Sequence, residues 1–289
     1  MRRNKTRGPR GLKRVGRVLA AALAAGFACV AYIYLTLPDV RPLRTDNPRT
    51  TAFMELRARE AHAHGEPAVQ NRRWIPYSRI SPNLKRAVIV TEDSAFWKHE
   101  GVDYEQLREA MEENLERLEF ARGASTITQQ LAKNLYLSPS KNPLRKLREL
   151  LIARRLEAEL TKQRILELYL NVIEWGDGIW GAEAAARHYF HKPASELSPA
   201  ESALLAASIA NPHIFDPGRP SARLRRREEM IMGRMGAVTP PPVIAAQPQP
   251  SPVSPIGAVP ELPSPSPLAL PGAVLPPEKP PKGAAGGSW

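Results

Sequence analysis

Twenty consecutive residues without a charge, Val18 to Leu37, constrain this chain more than any other stretch. As a helix they span about 30 Å, the thickness of a bilayer's hydrocarbon core. Eight basic residues and no acid occupy positions 1–17 just before them. By the positive-inside rule that arm stays in the cytoplasm and the rest of the chain is exported. Tyr32 and Tyr34 sit near the exit end, where interfacial aromatics belong. A cleaved signal peptide is the competing reading. The run is long for that, and Leu37-Pro38-Asp39 lacks a small-x-small cleavage pattern. Gly26-Phe27-Ala28 before Cys29 is likewise a poor lipoprotein signal. The expectation is an uncleaved single-pass anchor.

The basic arm explains most of the net charge of +12. Residues 38–236 hold 31 basic and 27 acidic side chains, and residues 237–289 hold two of each. A near-balanced exported domain argues against nucleic acid as a partner. Cys29 is the single cysteine, which excludes an intrachain disulfide, a cysteine zinc site and an iron–sulfur cluster. Sixteen of the 30 prolines fall in residues 240–289, a composition that cannot bury a core. The chain therefore divides into a basic arm 1–17, a transmembrane helix 18–37, a juxtamembrane stalk or short helix 38–72, a domain 73–236 and a Pro-rich tail 237–289 expected to be disordered.

Within the domain the apolar spacing is helical. Leu107, Met111, Leu115 and Leu118 mark one face behind an Asp103 cap. Leu144, Leu147 and Leu151 mark another behind Pro143, and Ile165, Leu168 and Val172 a third. Strand alternation is scarce, so the fold class is mainly α. Phosphate-loop, HExxH and GxSxG motifs are absent. Ser138-x-x-Lys141 lacks the K-T-G element that a penicillin-binding transpeptidase needs, and reads as a loop. His188 and His191 stand one helical turn apart without an evident third metal ligand.

Two segments are too polar for plain core and too apolar for linker: AVIVTEDSAFWKHEG at 87–101 and RGASTITQQLAKNLYL at 122–137. A third, RKLRE at 145–149, sets Arg145 and Lys146 one turn from Glu149. Together with KQRILELYLN at 162–171, Gly176 to Lys192 and LSPAESALLA at 197–206, these segments resemble, in order, glycosyltransferase family 51. That family is the glycosyltransferase domain of bacterial peptidoglycan polymerases. One anchor, this domain and no transpeptidase resembles its monofunctional biosynthetic members.

The resemblance implies a lysozyme-like glycosyltransferase domain behind the transmembrane helix, placed in the periplasm on the bacterial inner membrane. It implies polymerisation of lipid II into β-1,4-linked glycan, with inversion and release of undecaprenyl diphosphate. Glu92 matches the family's base and Glu149 its second glutamate, which orders the basic cluster and acceptor or helps bind a divalent cation. Lys133, Lys141, Arg145 and Arg148 become candidates to hold the diphosphate. Ser125, Thr126, Gln129 and Asn134 become candidates to order the site or contact sugar and phosphate, with backbone capping an equal reading for Thr126 and Asn134. The resemblance leads one to expect Arg at position 141, and Lys there keeps charge but loses the bidentate fork. No organic cofactor is implied, Mg or Mn stays open, and the expected partners are lipid II, the growing glycan, the membrane and other cell-wall synthesis or division proteins. The rival functions are a lysozyme-like glycan-cleaving enzyme and a non-catalytic cell-wall scaffold.

Overall fold

A computed structural model of the chain describes residues 10–117, 125–140 and 142–236, without the side chains of 10–13 and 114–117. The basic arm's first nine residues and the Pro-rich tail thus lie outside the described residues.

The described chain is mostly helical, as its periodicity predicts. In order come α1 (Arg10–Leu35), α2 (Ala52–Ala63), β1 (Asn71–Arg72), α3 (Pro82–Glu92), α4 (Tyr104–Arg117), α5 (Ile127–Tyr136), α6 (Pro143–Glu159), α7 (Lys162–Val172), β2 (Glu174–Gly176), β3 (Ile179–Trp180), α8 (Ala182–Phe190), α9 (Pro199–Ser208) and α10 (Ala222–Met235). Local chemistry sets many of the starts. Thr51, Ser81, Thr126, Asn142, Thr161, Ser198 and Ser221 each accept a backbone N–H from the first turn of the helix they precede. Ser198 and Glu201 complete a reciprocal capping box. Asp103 caps α4 through Gln106 N at 2.9 Å.

Two groups of helices make the core. α9 packs on α3 and α10, while α5 lies among α2, α6 and α7. The end of α3 meets the start of α5, where Asp93 Oδ2 accepts Ile127 N at 3.0 Å. Strands are confined to a small sheet in the order β1-β3-β2, with β1 parallel and β2 antiparallel to β3. Gly181 precedes α8 at φ +86, and a Cβ there would lie 2.7 Å from Asn171 O. Only glycine fits that close approach.

Residues 14–35 of α1 are long and apolar enough to cross a membrane, and they are almost wholly exposed. The exit end is different. Ile33, Leu37, Val40 and Leu43 join the main apolar core. Residues 38–72, expected as a stalk or short helix, thus include core residues and the helix α2, whose Met54 is 1% exposed. Arg148 and Arg155, two turns apart on α6, donate to the last carbonyls of the anchor. Arg148 Nη2 reaches Thr36 O at 3.0 Å, and Arg155 Nη2 reaches Tyr34 O at 3.2 Å. These carbonyls are the ones a helix end leaves without intrahelical partners. Arg164 extends the seam to Leu43 O and Asp46 O at 2.8 and 2.9 Å.

Candidate active site

In the segment 92–101 the partly buried Glu92 carboxylate stands at the end of α3, and neighbouring motif residues fix the loop that follows it. Glu92 ends α3. Asp93 turns back, buried, and accepts from Ile127 N and from His99 Nε2 at 2.9 Å. His99 Nδ1 accepts from Gly101 N at 3.1 Å, so the ring proton sits on Nε2 and points at Asp93. Phe96 is fully buried and edge-on to Trp97 and His99. Gly101 adopts φ +84, and its carbonyl accepts from Thr126 Oγ1 at 2.7 Å and Gln129 Nε2 at 3.2 Å. The loop after α3 is thereby latched to the first turn of α5.

Glu92 is held by α5. Gln130 Nε2 donates to Glu92 Oε2 at 2.8 Å, and Tyr169 on α7 donates to Gln130 Oε1 at 2.9 Å. Burial pushes the Glu92 pKa up, against the opposing pull of the Gln130 bond and of the charges on Arg227 and Lys133. A raised carboxylate with a fixed orientation has the properties of a general base.

A second cluster joins α5 to α6. Glu149 is 3% exposed, and both of its oxygens are taken. Arg145 Nη1 donates to Oε2 at 2.6 Å and Lys146 Nζ to Oε1 at 2.5 Å. Lys146 also donates to Gln129 Oε1 at 3.0 Å and Ser125 Oγ at 3.2 Å. Arg145 Nε donates to the Ser140 carbonyl. Lys133 differs from both. It has no hydrogen bond or ion pair to a described residue, and its ammonium stands 5.7 Å from the Phe53 ring centroid. Burial pulls its pKa down, Glu149 and Glu92 pull it up, and Arg145 and Lys146 pull it down. Lys133 thus lies within electrostatic reach of both glutamates.

The structure therefore gathers Glu92, Lys133, Arg145 and Glu149 with Ser125 and Gln129. Thr126 is occupied as the cap of α5, accepting Gln129 N at 3.2 Å. Asn134 donates back to Gln130 O at 2.8 Å, within its own helix. Arg148 is not brought into the cluster, because its guanidinium is turned to the anchor. Lys141 lies outside the described residues. Three contributors were not singled out from sequence: Gln130, Tyr169 and Arg227. The doublet Gln129-Gln130 carried a signal, since adjacent helical residues point to different surroundings. Gln129 serves the Glu149 cluster and Gln130 serves Glu92.

Glu149 does not fit a divalent metal, since two cations of the chain occupy its oxygens. Elsewhere Glu174, Asp177 and His213 bring ligand atoms within 4.8 Å of one another. There Arg57 already fills the place of a cation, donating to Glu174 Oε2 at 3.2 Å and to His213 Nε2 at 2.7 Å.

Residues 59–236 match the Transglycosylase family. The biosynthetic peptidoglycan transglycosylase of Nitrosomonas eutropha is 51% identical over 192 residues, which are 66% of this chain and 79% of that one. The protein of the same name from Laribacter hongkongensis is 46% identical over 231 residues, 80% of this chain and 100% of its own. The one from Azoarcus sp. is 44% identical over 232 residues, with the same two shares of 80% and 100%. An ordered set of motifs, a helical domain that gathers their polar residues, and relatives aligned over 79% to 100% of their own length have one reading: the chain belongs to the transglycosylase family, the enzymes that polymerise peptidoglycan glycan strands in cell-wall synthesis.

Proposed function

We propose that Glu92 is the base and that Lys133 and Arg145 receive the leaving diphosphate as this enzyme polymerises lipid II. The observation that carries the reading is the pairing of a held carboxylate, Glu92, with an ammonium, Lys133, that no described residue occupies. A sugar hydroxyl is a weak nucleophile. Glu92 removes the proton of the acceptor's GlcNAc 4-hydroxyl as that oxygen attacks C1 of the donor MurNAc. The bond from C1 to the diphosphate breaks on the opposite face, so configuration inverts and a β-1,4 link forms. Undecaprenyl diphosphate leaves as an anion that needs cations rather than a proton donor. A glycan-cleaving enzyme would instead need a neutral acid beside its leaving alkoxide.

Arg145 and Lys146 are held on Glu149, so the buried carboxylate positions them and offsets their repulsion. Incoming phosphate oxygens compete for the same N–H groups. No step in this reading runs through a metal. The first turns of α6 carry exposed Leu144 and Leu147 beside Arg145 and Lys146. Lipid and diphosphate would meet there. Exposed Tyr104, Leu107 and Met111 on α4 add apolar surface for the polyprenyl chain or the membrane. The eight basic residues before the apolar helix support a cytoplasmic arm and, with it, a periplasmic position for this domain.

The test is turnover of lipid II by the full-length protein beside Glu92→Gln, read as glycan on a gel. The variant should retain the fold and lose polymerisation by at least about a hundredfold. Near-normal glycan from a folded Glu92→Gln protein would remove the base assignment.

A further inference from the structure

Behind Glu92 runs a hydrogen-bonded chain that ends in the protein interior. Tyr169 is fully buried on α7, so no substrate touches it. Its hydroxyl donates to Gln130 Oε1, and Gln130 Nε2 gives Glu92 the one hydrogen bond it receives from a described side chain. An amide has a donor end and an acceptor end of nearly the same shape. Only one orientation suits an ionised Glu92. The flipped amide would aim Oε1 at the carboxylate, which is tolerable only when that carboxyl carries a proton.

We propose that Tyr169 is a positioning residue: its hydroxyl locks the Gln130 amide in the orientation that donates to Glu92, and so keeps the base ionised and aimed. The proposal rests on Glu92 being the base. Tyr169 is suited to the task because burial, with the charges of Glu92 and Asp93 nearby, drives its own ionisation far above the ordinary tyrosine range. It therefore stays a donor throughout the working pH range. Around Glu92, Lys133 of α5 and Arg227 of α10 favour its charge, while Asp93 and burial oppose it. On α9, which also packs against α3, Glu201 is the only charged residue, and it is engaged by Lys192 and Ser198 N. Removing the amide's donation leaves burial less opposed.

The experiment is Tyr169→Phe in the full-length enzyme, with lipid II turnover measured against pH and thermal unfolding measured in parallel. The expected result is a fall in kcat of about tenfold with KM for lipid II little changed. The acidic limb of the rate profile should move up by about one pH unit. A limb that stays in place overturns the proposal, whether or not unfolding shifts. Should Tyr169→Phe not fold, Gln130→Leu must move the limb in the same direction, and a fixed limb there overturns the proposal equally. Glu92→Gln, run beside them, separates the two readings. If it polymerises normally, the base assignment falls and takes this inference with it. If it is inert and the limb has not moved, only the role of Tyr169 falls.

Discussion

Lys133 stands on the same helix as Gln130, one turn further on, and its ammonium makes no direct hydrogen bond or ion pair with a described side chain, although Glu149 and Glu92 lie within electrostatic reach. Its pKa lies below the ordinary lysine range, chiefly through burial, while that of Glu92 lies above the ordinary carboxylate range for the same reason. In the proposed roles, Glu92 must be ionised and Lys133 protonated for turnover. The profile of kcat/KM should therefore be bell-shaped and narrowed from both sides. It falls as pH drops through the raised Glu92 value, and falls again as pH rises through the depressed Lys133 value. Lys133→Ala should weaken donor binding about ten- to a hundredfold and abolish the alkaline limb. Unchanged donor affinity would contradict it. The motifs made Glu92, Lys133, Arg145 and Glu149 legible as candidates, and the structure brings these four together. They did not show that Asp93, Phe96 and His99 are supports for a single carboxylate. Nor did they expose the route from Tyr169 to Glu92, whose links cross 39 and 38 positions of sequence. Such contacts exist only once α5 and α7 are packed, so no local spacing encodes them.

At the level of elements, α2 has little apolar patterning along AFMELRAREAHA, and Met54 is its one fully buried side chain. The helix owes its place to α5 rather than to its own amphipathicity. Met54→Ala should cost about 2–5 kcal/mol, read as a lowered urea midpoint with unchanged slope. A cost near zero would mean that α2 is an appendage after all. The opposite lesson comes from α4, where Leu107 and Met111 of the expected apolar face are exposed, while Leu118 and the side chain of Leu115 lie outside the described residues. Helical spacing reports that a stripe exists and is silent on whether protein or lipid covers it. The junction of α1 and α6 gives a further prediction. Replacing Arg148 and Arg155 together by Ala removes the guanidinium donors from the carbonyls of Tyr34, Thr36 and Leu37. Backbone amides of residues 36–43 should then exchange hydrogen faster, while Glu92 and its neighbours keep their protection. Equal exchange in both proteins would show that apolar contacts alone hold the seam.

For the molecule as a whole, the mainly α class was readable because helix caps and periodicity agreed along most of the domain. The boundary between stalk and domain was less readable. Val40, Leu43 and Met54 are isolated apolar residues in a polar stretch, and their burial depends on surfaces formed far downstream. The anchor seam carries a consequence for how the protein is made. It joins residues separated by 112 to 121 positions. At about 5–20 residues per second, roughly 6–24 s pass between synthesis of the early side of that seam and the arrival of its partner. During that interval Leu37, Val40 and Leu43 have no α6 or α7 to cover them. The nascent chain therefore closes its fold late, by drawing a finished helical body onto the end of a helix made more than a hundred residues earlier, and that interval is the window in which these apolar side chains lie open to other partners.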